Sequence, residues 1–432
     1  MNLLVAFCAC AGHLFQEVAA VPCLPDAIPA EQRKNLSTYG GVPYPVGIWV
    51  GAWEAGWLTS SLVQILIEER LGYRAVLSGA GPGAIDAFHA LTGCSQPANI
   101  SNRGCGPQIT YHHVNVETWA DGYRSEWDQI QAQYASMAPV NLGSMGYAGR
   151  SGGFVPKEVL NQALYQDGIA LDFYRGWNSS WNEPSRFFDS IASVDRSQMD
   201  PCNATRFYTS SPNEVYLRVT GDTSGVQWLN GNLVAVCPDG YFWISPACRA
   251  DHTKCVPYLT GYGGWGLDLI MQQATIWDMP FALGVAKVYS QLPKDVKSTF
   301  FWWTPDTTFI QMAPVEIILP LFNSAQYAAG DKRSGAQDSP ITKMVSQDLS
   351  SLAPNVAELI QLLRLEIDDL NGMLRERMVT GDSYENITCR GLQANPTSWQ
   401  SWVPDNTRCF PGFGMYDTGL REFVDSREDP TY

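Results

Sequence analysis

Residues 46–91 read VGIWVGAWEAGWLTSSLVQILIEERLGYRAVLSGAGPGAIDAFHAL. Residues 46–51 form an apolar strand pattern, and residues 59–71 carry apolar side chains in helical spacing. A second strand follows at 74–77, and a second helix runs through Leu91. Strands that alternate with helices in this way predict an α/β fold with parallel strands.

Composition places the whole chain among acidic globular proteins. It has 432 residues, enough for two or three domains, and a net charge of −15. That charge argues against a nucleic-acid binder, which needs a basic surface. Apolar residues make up 45% and charged residues 16%, so the chain should fold around a sizeable core. Beyond the N-terminus, apolar runs such as 317–322 are far shorter than the roughly 20 residues of a membrane span.

Two later regions differ from this regular α/β pattern. Residues 178–255 are rich in loop-forming residues, Trp, Pro and Cys, and are interpreted as an insertion outside the core. Residues 356–378 show one clear amphipathic helical stretch, which an irregular tail follows.

Cysteine spacing indicates an oxidising compartment. The chain has eleven Cys, and three short stretches, 94–105, 248–255 and 389–409, begin and end with Cys. We expect each to be a loop closed by its own disulfide, the alternative being free buried thiols. The chain has no CxxC pair and its five His lack zinc-ligand spacing, so we expect no metal site.

Five glycosylation sequons support a secretory protein. The acceptor residues are Asn35, Asn99, Asn178, Asn203 and Asn386.

The first 20 residues resemble a signal peptide. Residues 3–15 form an apolar segment, and cleavage after Ala20 would fit, although Glu17 and the lack of a preceding Lys or Arg fit a buried N-terminal helix instead. Cleavage there would leave nine Cys, an odd number, so that at least one stays unpaired or joins a partner.

Two glycine-rich motifs have an enzymatic interpretation and a structural one. Residues 79–84 lie where a dinucleotide-binding loop would lie, but Ala84 replaces the third glycine, and a tight turn between strand and helix is favoured. Residues 149–153 match a nucleophile elbow. That motif needs a preceding strand and a following helix, whereas residues 143–148 and 152–156 are typical of loops, so a hydrolase is not favoured.

Three of the fifteen Trp occur where α/β proteins collect ligands. Trp119 follows a predicted strand at 114–118, Trp265 precedes a helix that begins near Leu267, and Trp303 ends a strand before Thr304. Aromatic faces there suit a cation that cannot donate hydrogen bonds. A quaternary ammonium is such a ligand, held by cation–π attraction of ~0.5–2 kcal/mol per ring.

The sequence resembles the glycine betaine/choline-binding proteins of ABC importers in three segments that occur in the same order. Residues 59–73, with Leu62-Val-Gln-Ile-Leu-Ile-Glu-Glu-Arg-Leu-Gly-Tyr, are similar to the family's first helix. The contexts of Trp119, of Gly-Gly-Trp265-Gly and of Phe-Trp-Trp303-Thr-Pro are similar to the motifs that supply its aromatic box. Residues 353–402 are similar to its last helices.

The resemblance implies a ligand site between two lobes. Trp119 would come from one lobe, and Trp265 and Trp303 from the other, around a methylated ammonium. The backbone N–H groups of Gly266 and Leu267, at a helix start, would take the ligand's carboxylate.

Two further residues enter through the same resemblance. Tyr123 occupies a place where some members have His, so it leaves the preference for a carboxylate open. Trp53 lies where choline-preferring members place a Trp, beside the acidic Glu54, and either forms a fourth wall or packs in the core.

The resemblance also implies a type II periplasmic-binding-protein-like fold, α/β in both lobes, with a hinge and a cleft between them. We expect lobe one at 46–142 and 315–432, and lobe two at 145–314 with the insertion at 178–255. The expected function is non-enzymatic binding of glycine betaine, choline or a sulfonium analogue, without a cofactor. An ABC transporter permease or another membrane protein would be the partner, and the protein would be secreted or extracytoplasmic. The alternative is a secreted structural or receptor-like protein that keeps the fold without ligand binding.

Overall fold

The structure is a computed structural model that describes most of the chain. The described ranges are 21–37, 41–99, 102–106, 110–120, 123–204, 214–229, 232–261, 265–287, 295–335 and 337–404, with two short strands at 415–417 and 422–424. The predicted signal peptide and Cys409 lie outside these residues.

One mixed sheet of eleven strands runs through the described residues. From edge to edge its path is β10 (Trp243–Ile244), β12 (Phe281–Ala286), β11 (Val256–Thr260), β13 (Thr299–Thr304), β6 (Val140–Val155), β15 (Ser339–Val345), β5 (Val114–Thr118), β3 (Val46–Gly51) and β4 (Ala75–Gly81). Two short strands join it off this path, β7 (Met199–Asp200) on β12 and β14 (Val315–Glu316) on β6.

Three two-stranded hairpins accompany the main sheet. They are β1 (Leu36–Ser37) with β2 (Pro43–Tyr44), β8 (Val226–Leu229) with β9 (Asn232–Ala235), and β16 (Met415–Asp417) with β17 (Glu422–Val424).

Helices connect many of the strands. They are α1 (Glu54–Glu69), α2 (Ala84–Leu91), α3 (Arg124–Gln133), α4 (Lys157–Asp167), α5 (Glu214–Thr220), α6 (Leu267–Ile276), α7 (Thr307–Met312), α8 (Ser324–Ala328), α9 (Leu349–Leu352), α10 (Pro354–Leu362), α11 (Ile367–Thr380), α12 (Tyr384–Ala394) and α13 (Pro396–Gln400). Strands β3, β4 and β5 pair in parallel, as do β11, β12 and β13, so the predicted α/β class is confirmed.

Strand β6 joins the two halves of the sheet. It is 16 residues long, and its residues 140–149 pair antiparallel with β15 whereas residues 150–155 pair with β13 and β14. The change of partner falls between Gly149, opposite Ser339, and Arg150, opposite Thr304. The predicted loops at 143–148 and 152–156 are therefore wrong, since β6 continues through Val155. These residues have high turn propensity, but pairing with the neighbouring strands makes them part of the sheet.

Glycine is needed within β6 where another segment approaches it. Gly146 has φ +117, and a Cβ there would lie 2.7 Å from the carbonyl oxygen of Leu365. The close approach of Leu365 to β6 also explains why the predicted helix at 356–378 is two helices. Leu365 donates its N–H to the carbonyl of Met145 at 2.8 Å, which takes the chain out of the helix between α10 and α11.

Buried apolar residues fall into separate clusters on the two sides of β6. The first core draws on β3, α1, β5, the first half of β6, and the helices after β15, with Leu58, Val116 and Ile360 fully buried. The second core draws on α4, β11, α6 and β12, with Trp177 and Met271 fully buried. Each fully buried aliphatic or aromatic side chain contributes about 1.5–3 kcal/mol, so each side has its own stabilising centre.

The interpretation of residues 178–255 as lying outside the core is wrong. The segment is rich in loops and short 3-10 helices, but β7 and β10 pair with β12 in the main sheet. Trp243 and Tyr216 are among the largest fully buried side chains. Likewise, the tail that was expected to be irregular contains α12 and α13, and α12 packs on α1.

Disulfides agree with two of the three predicted loops. Cys94 pairs with Cys105, and Cys248 pairs with Cys255. The expected loop at 389–409 is wrong, because Cys389 pairs with Cys23. Helix α12 lies beside the N-terminal segment, where Gln393 donates to the Cys23 carbonyl at 2.7 Å, and this packing brings the two sulfurs together.

A fourth disulfide joins Cys202 to Cys237, which the spacing did not predict. Within the described ranges, no helix is both long enough and apolar enough to span a bilayer.

Candidate ligand-binding site

A cavity of about 590 Å³ lies between the two cores. Aromatic side chains form a large part of its lining, to which the loop before α2 and the start of α6 also contribute. The aromatic lining residues are Trp53, Trp119, Tyr123, Trp127, Trp265, Phe301, Trp303, Phe322 and Tyr327.

Most of the residues chosen from the sequence line this one cavity. They are Trp53, Trp119, Tyr123, Trp265, Gly266 and Trp303. The side chain of Leu267 is instead buried in the second core at 1% exposure, while its peptide begins α6. We call Trp53 and Trp119 the first wall, since both pack against the first core, and Trp265 and Trp303 the second wall, since both pack against the second core. Their role in binding stays a prediction.

The first wall is held by a buried carboxylate. Trp53 follows β3 and caps the start of α1, and its indole Nε1 donates to Oε1 of Glu117 at 2.9 Å. Glu117 also receives a hydrogen bond from the Thr59 hydroxyl at 3.3 Å. The indole of Trp119 is a further hydrogen-bond partner of the same carboxyl.

Gly149 makes room for Trp119. A Cβ at position 149 would overlap three atoms of the Trp119 ring. The glycine of the apparent nucleophile elbow therefore has a packing role, because β6 must pass directly against an indole. Ser151 lines the cavity from the same strand, and the strand–turn–helix geometry of an elbow does not occur there.

Burial sets the charge of Glu117. The residue is 1% exposed, and desolvation raises its pKa to about 7, against the opposing effect of its hydrogen bonds from Trp53 and Thr59. The nearby Asp306 carboxyl acts in the same direction as burial. The neighbouring hydroxyl of Tyr147 has its pKa raised well above the usual value by burial and by Glu117.

The second wall is held mainly by stacking. Trp303 lies parallel to Trp302, with ring centroids 5.1 Å apart and planes at 6°. The Trp302 indole donates to the Asp306 carboxylate at 3.0 Å, and Asp306 also accepts the Thr308 N–H as the N-cap of α7. Burial raises the pKa of Asp306.

Trp265 connects the second wall to the opposite side of the cavity. Its ring meets Trp303 edge-on, at a centroid distance of 4.9 Å and an interplanar angle of 73°. Its Nε1 donates to the carbonyl of Pro82 at 3.1 Å, in the loop between β4 and α2. The two halves of the molecule are thus joined by a hydrogen bond at the edge of the cavity.

Two helix starts open onto the cavity. Gly266 caps α6 with φ +62 and Gly83 caps α2, and neither start has a side-chain cap. Free N–H groups at a helix start favour an anionic or hydroxyl oxygen. Residues 79–81 of the glycine-rich motif belong to β4, and residues 82–84 form a tight turn that lines the cavity.

An ion pair supplies further charge in the lining. Lys332 donates to Asp268 at 2.7 Å, and its ammonium lies 5.5 Å from the centre of the Tyr327 ring. Although burial acts in the opposite direction, the Asp268 carboxylate raises the pKa of Lys332. In the lining, this Asp and Lys neutralise one another.

Sequence reasoning missed Glu117, Asp268 and Lys332. The signal for Glu117 was present, since it is an acidic residue in a buried strand, two positions before Trp119. The partners Asp268 and Lys332 are 64 residues apart, and no local pattern links them. Among the described residues, no group of His, Cys, Asp and Glu is arranged to hold a metal ion.

Solved structures of three binding proteins are similar to this chain. Lactococcal OpuAC, in a closed conformation with glycine betaine, is 10% identical with a TM-score of 0.44, covering 84% of this chain and 100% of its own. The glycine betaine/L-proline-binding protein ProX from Borrelia burgdorferi is 10% identical with a TM-score of 0.45, over 83% and 97%. An ABC-transporter choline-binding protein in complex with choline is 11% identical with a TM-score of 0.44, over 83% and 91%.

These are proteins of the class that the sequence resembled. No protein-family model matches the chain, and no curated protein matches it. The case for a ligand therefore rests on the cavity's own residues.

Proposed function

We propose that this protein is a non-enzymatic solute-binding protein for a small quaternary ammonium compound, such as glycine betaine or choline, or for its sulfonium analogue. The observation that carries the proposal is one cavity of about 590 Å³ lined by five indoles, four of which form the first and second walls. A quaternary ammonium has no N–H and cannot donate hydrogen bonds, so aromatic faces are the surfaces that bind it best.

The charge distribution supports a cationic ligand. Glu117 and Asp306 lie behind the two walls and act on each other electrostatically. The protein as a whole carries −15, which favours the approach of a cation.

The other end of the ligand would meet the start of α6. The N–H groups of Gly266 and Leu267 belong to this helix start and would take a carboxylate or hydroxyl oxygen, and Tyr123, which is in the same lining, would offer its hydroxyl. Lys332, although paired with Asp268, would add attraction for a carboxylate.

We further propose that the two sides act as lobes that close over the ligand. Lobe one would comprise 46–142 and 315–432, and lobe two 145–314. The change of strand partners in β6, between Gly149 and Arg150, supports a hinge in this strand a few residues after the expected boundary. The hydrogen bond from Trp265 to the Pro82 carbonyl supports a closing contact between the lobes.

The four disulfides support an extracytoplasmic location, secreted or at a cell surface. Of the expected glycosylation residues, Asn99, Asn203 and Asn386 are exposed, and Asn35 and Asn178 are partly exposed. An ABC transporter permease or another membrane protein would receive the ligand.

The alternative, a structural or receptor-like protein without a ligand, finds less support. An insertion that filled the cavity would have favoured it, yet none of the described residues of 178–255 lines the cavity. The described part of the lining contains no His or Cys.

The test is a calorimetric titration of the purified full chain with glycine betaine, choline and the sulfonium analogue, followed in parallel by Trp fluorescence. We expect micromolar or tighter binding to the natural sequence, and none by Trp265→Ala or Trp303→Ala. Trp181→Ala is the matched control, because that Trp is 71% exposed and outside the cavity. Folded protein that gives no heat and no fluorescence change would contradict the proposal, as would unchanged affinity of the two cavity variants.

A further inference from the structure

We infer that Glu117 is the counter-charge of the aromatic cavity, so that capture of a quaternary ammonium ion displaces a proton from this carboxyl to solvent. The inference rests on the proposed function and goes beyond it, because it assigns a specificity-determining and positioning role to a residue that does not line the cavity.

The geometry places the carboxyl directly behind the first wall. Glu117 lies near the end of β5 at 1% exposure, with Trp53 Nε1 on one oxygen at 2.9 Å and Thr59 Oγ1 on the other at 3.3 Å. Trp119 is bonded to the same group. The negative charge, when present, is therefore one indole away from a ligand that the first wall contacts.

Among the described residues, the groups that act on Glu117 through hydrogen bonds or charge carry no positive charge. Tyr147 on β6 and Asp306 before α7 face it. Glu54 of α1 acts electrostatically on Asp306. Its Oε2 lies 3.5 Å from Nε of Arg377 on α11, with which it forms an ion pair. On β15, which pairs with β5, the Lys343 ammonium donates hydrogen bonds to the backbone carbonyls of Gln361 and Leu363, at 2.9 and 2.7 Å.

A buried carboxylate without a cation is costly, so the empty protein holds this group protonated at mildly acidic pH. The pKa of about 7 that burial produces agrees with this. A quaternary ammonium bound against the first wall would be the missing cation. The bound ammonium would favour the ionised form of Glu117 and so lower the pKa of this carboxyl. The proton of the neutral carboxyl would then pass to water, while the charge of the ligand stays unchanged.

The sign of the pH effect follows. Below the pKa of the empty site, binding must remove a proton, so affinity is weak and rises with pH. Above about pH 7 the carboxylate already exists, proton release stops, and affinity levels off.

Glu117→Gln separates the charge from the hydrogen bonds. The amide oxygen can still accept from Trp53, and the amide nitrogen can donate to the Thr59 hydroxyl, because in the variant that hydroxyl can turn its own hydrogen from position 117 to the Ala55 carbonyl, 2.9 Å away. Glu158→Gln is the matched control, since it removes the same charge from an exposed position on α4.

The experiment titrates choline into the full chain by calorimetry, near pH 6, in phosphate and in imidazole, whose ionisation enthalpies differ. For the natural sequence and for Glu158→Gln we expect release of more than about half a proton, and affinity that rises about tenfold between pH 5.5 and 7.5. For Glu117→Gln we expect no proton release and a pH-independent affinity, about tenfold weaker above pH 7.

A second readout needs no ligand. The ¹H–¹⁵N signal of the Trp53 indole should shift with pH around a midpoint near 7 in the natural sequence and stay constant in Glu117→Gln. Choline binding without proton release, or with equal release in Glu117→Gln, would overturn this inference alone. Failure of every quaternary ammonium compound to bind would overturn the proposed function, and the inference with it. An indole signal that does not titrate would overturn the assignment of the carboxyl to Trp53.

Discussion

The two walls of the cavity use the same side chain and hold it by different means. In the first wall, indole N–H groups of Trp53 and Trp119 are bonded to the buried Glu117 carboxyl. In the second wall, Trp303 lies flat on Trp302, and the hydrogen bond to the Asp306 carboxylate is one ring further back. The first wall should therefore respond to pH and the second to packing. The predictions below test this difference and run from the largest to the smallest expected change in the free energy of unfolding or binding.

Removing the supporting ring of the second wall should have the largest effect. Trp302 is 2% exposed, and Trp302→Ala leaves a cavity and takes from Asp306 its indole partner. We expect a loss of about 4 kcal/mol in the free energy of unfolding, measured in urea.

Trp228→Ala is the control for that variant, because its side chain is 53% exposed. An equal and small loss for both variants would show that the stack does not hold the second wall.

Glu117→Gln should change stability in the opposite direction. The folded pKa of about 7 is above the ordinary 4.5, so the natural protein loses stability as pH rises from 4.5 through 7. The variant lacks this loss, and at pH 8 it should be more stable than the natural sequence by up to about 3 kcal/mol.

At pH 4 the two proteins should differ little, because Glu117 is then protonated in both folded and unfolded chains. Urea unfolding at several pH values measures the difference. A gap that does not depend on pH would contradict a titrating first wall.

Displacing Trp119 should weaken binding without removing any indole. A methyl group at Gly149 overlaps the Trp119 ring, whereas at Gly152, three residues along the same strand, the nearest atom is 3.5 Å away. We expect Gly149→Ala to lose about tenfold or more in choline affinity, since one ring contributes about 0.5–2 kcal/mol.

Gly152→Ala should bind choline as the natural sequence does. Calorimetry on both variants decides, and equal affinities would mean that Trp119 does not contact the ligand.

The smallest effect is expected from the ion pair in the lining. Lys332→Gln frees the Asp268 carboxylate, so choline should bind severalfold more tightly, by less than about 1 kcal/mol, while glycine betaine should gain less because its carboxylate loses an attractive ammonium. Lys254→Gln, at an exposed position, is the control. An equal change for both ligands would contradict an effect on the carboxylate end.

Local sequence patterns predicted the elements that surround the cavity. The sequence identified the helix that starts near Leu267, the strand at 114–118, the strand that leads to Trp303 and the helix that runs through Leu91, because strand and helix periodicity is strong there. Trp residues at the ends of these elements were the candidate ligand-binding residues, and they line the cavity.

Features that depend on distant segments escaped prediction. Residues 143–148 look like a loop, yet pairing with β15 makes them strand, and the helical pattern at 356–378 is broken by the contact of Leu365 with β6. The partner of Cys389 lies 366 residues away in sequence. Glu117 can be recognised in the sequence as an acidic residue in a buried strand, but only the fold shows that two indoles share its carboxyl.

The most direct test of an aromatic cavity built for a cation compares choline with 3,3-dimethylbutan-1-ol, which has the same shape with carbon in place of the charged nitrogen. Calorimetric titration of the natural sequence near pH 8 should give an affinity for choline that is at least about tenfold higher, because only the cation gains from the indole faces and from the Glu117 charge. Equal affinity for the two compounds, or binding of neither by the folded protein, would contradict it.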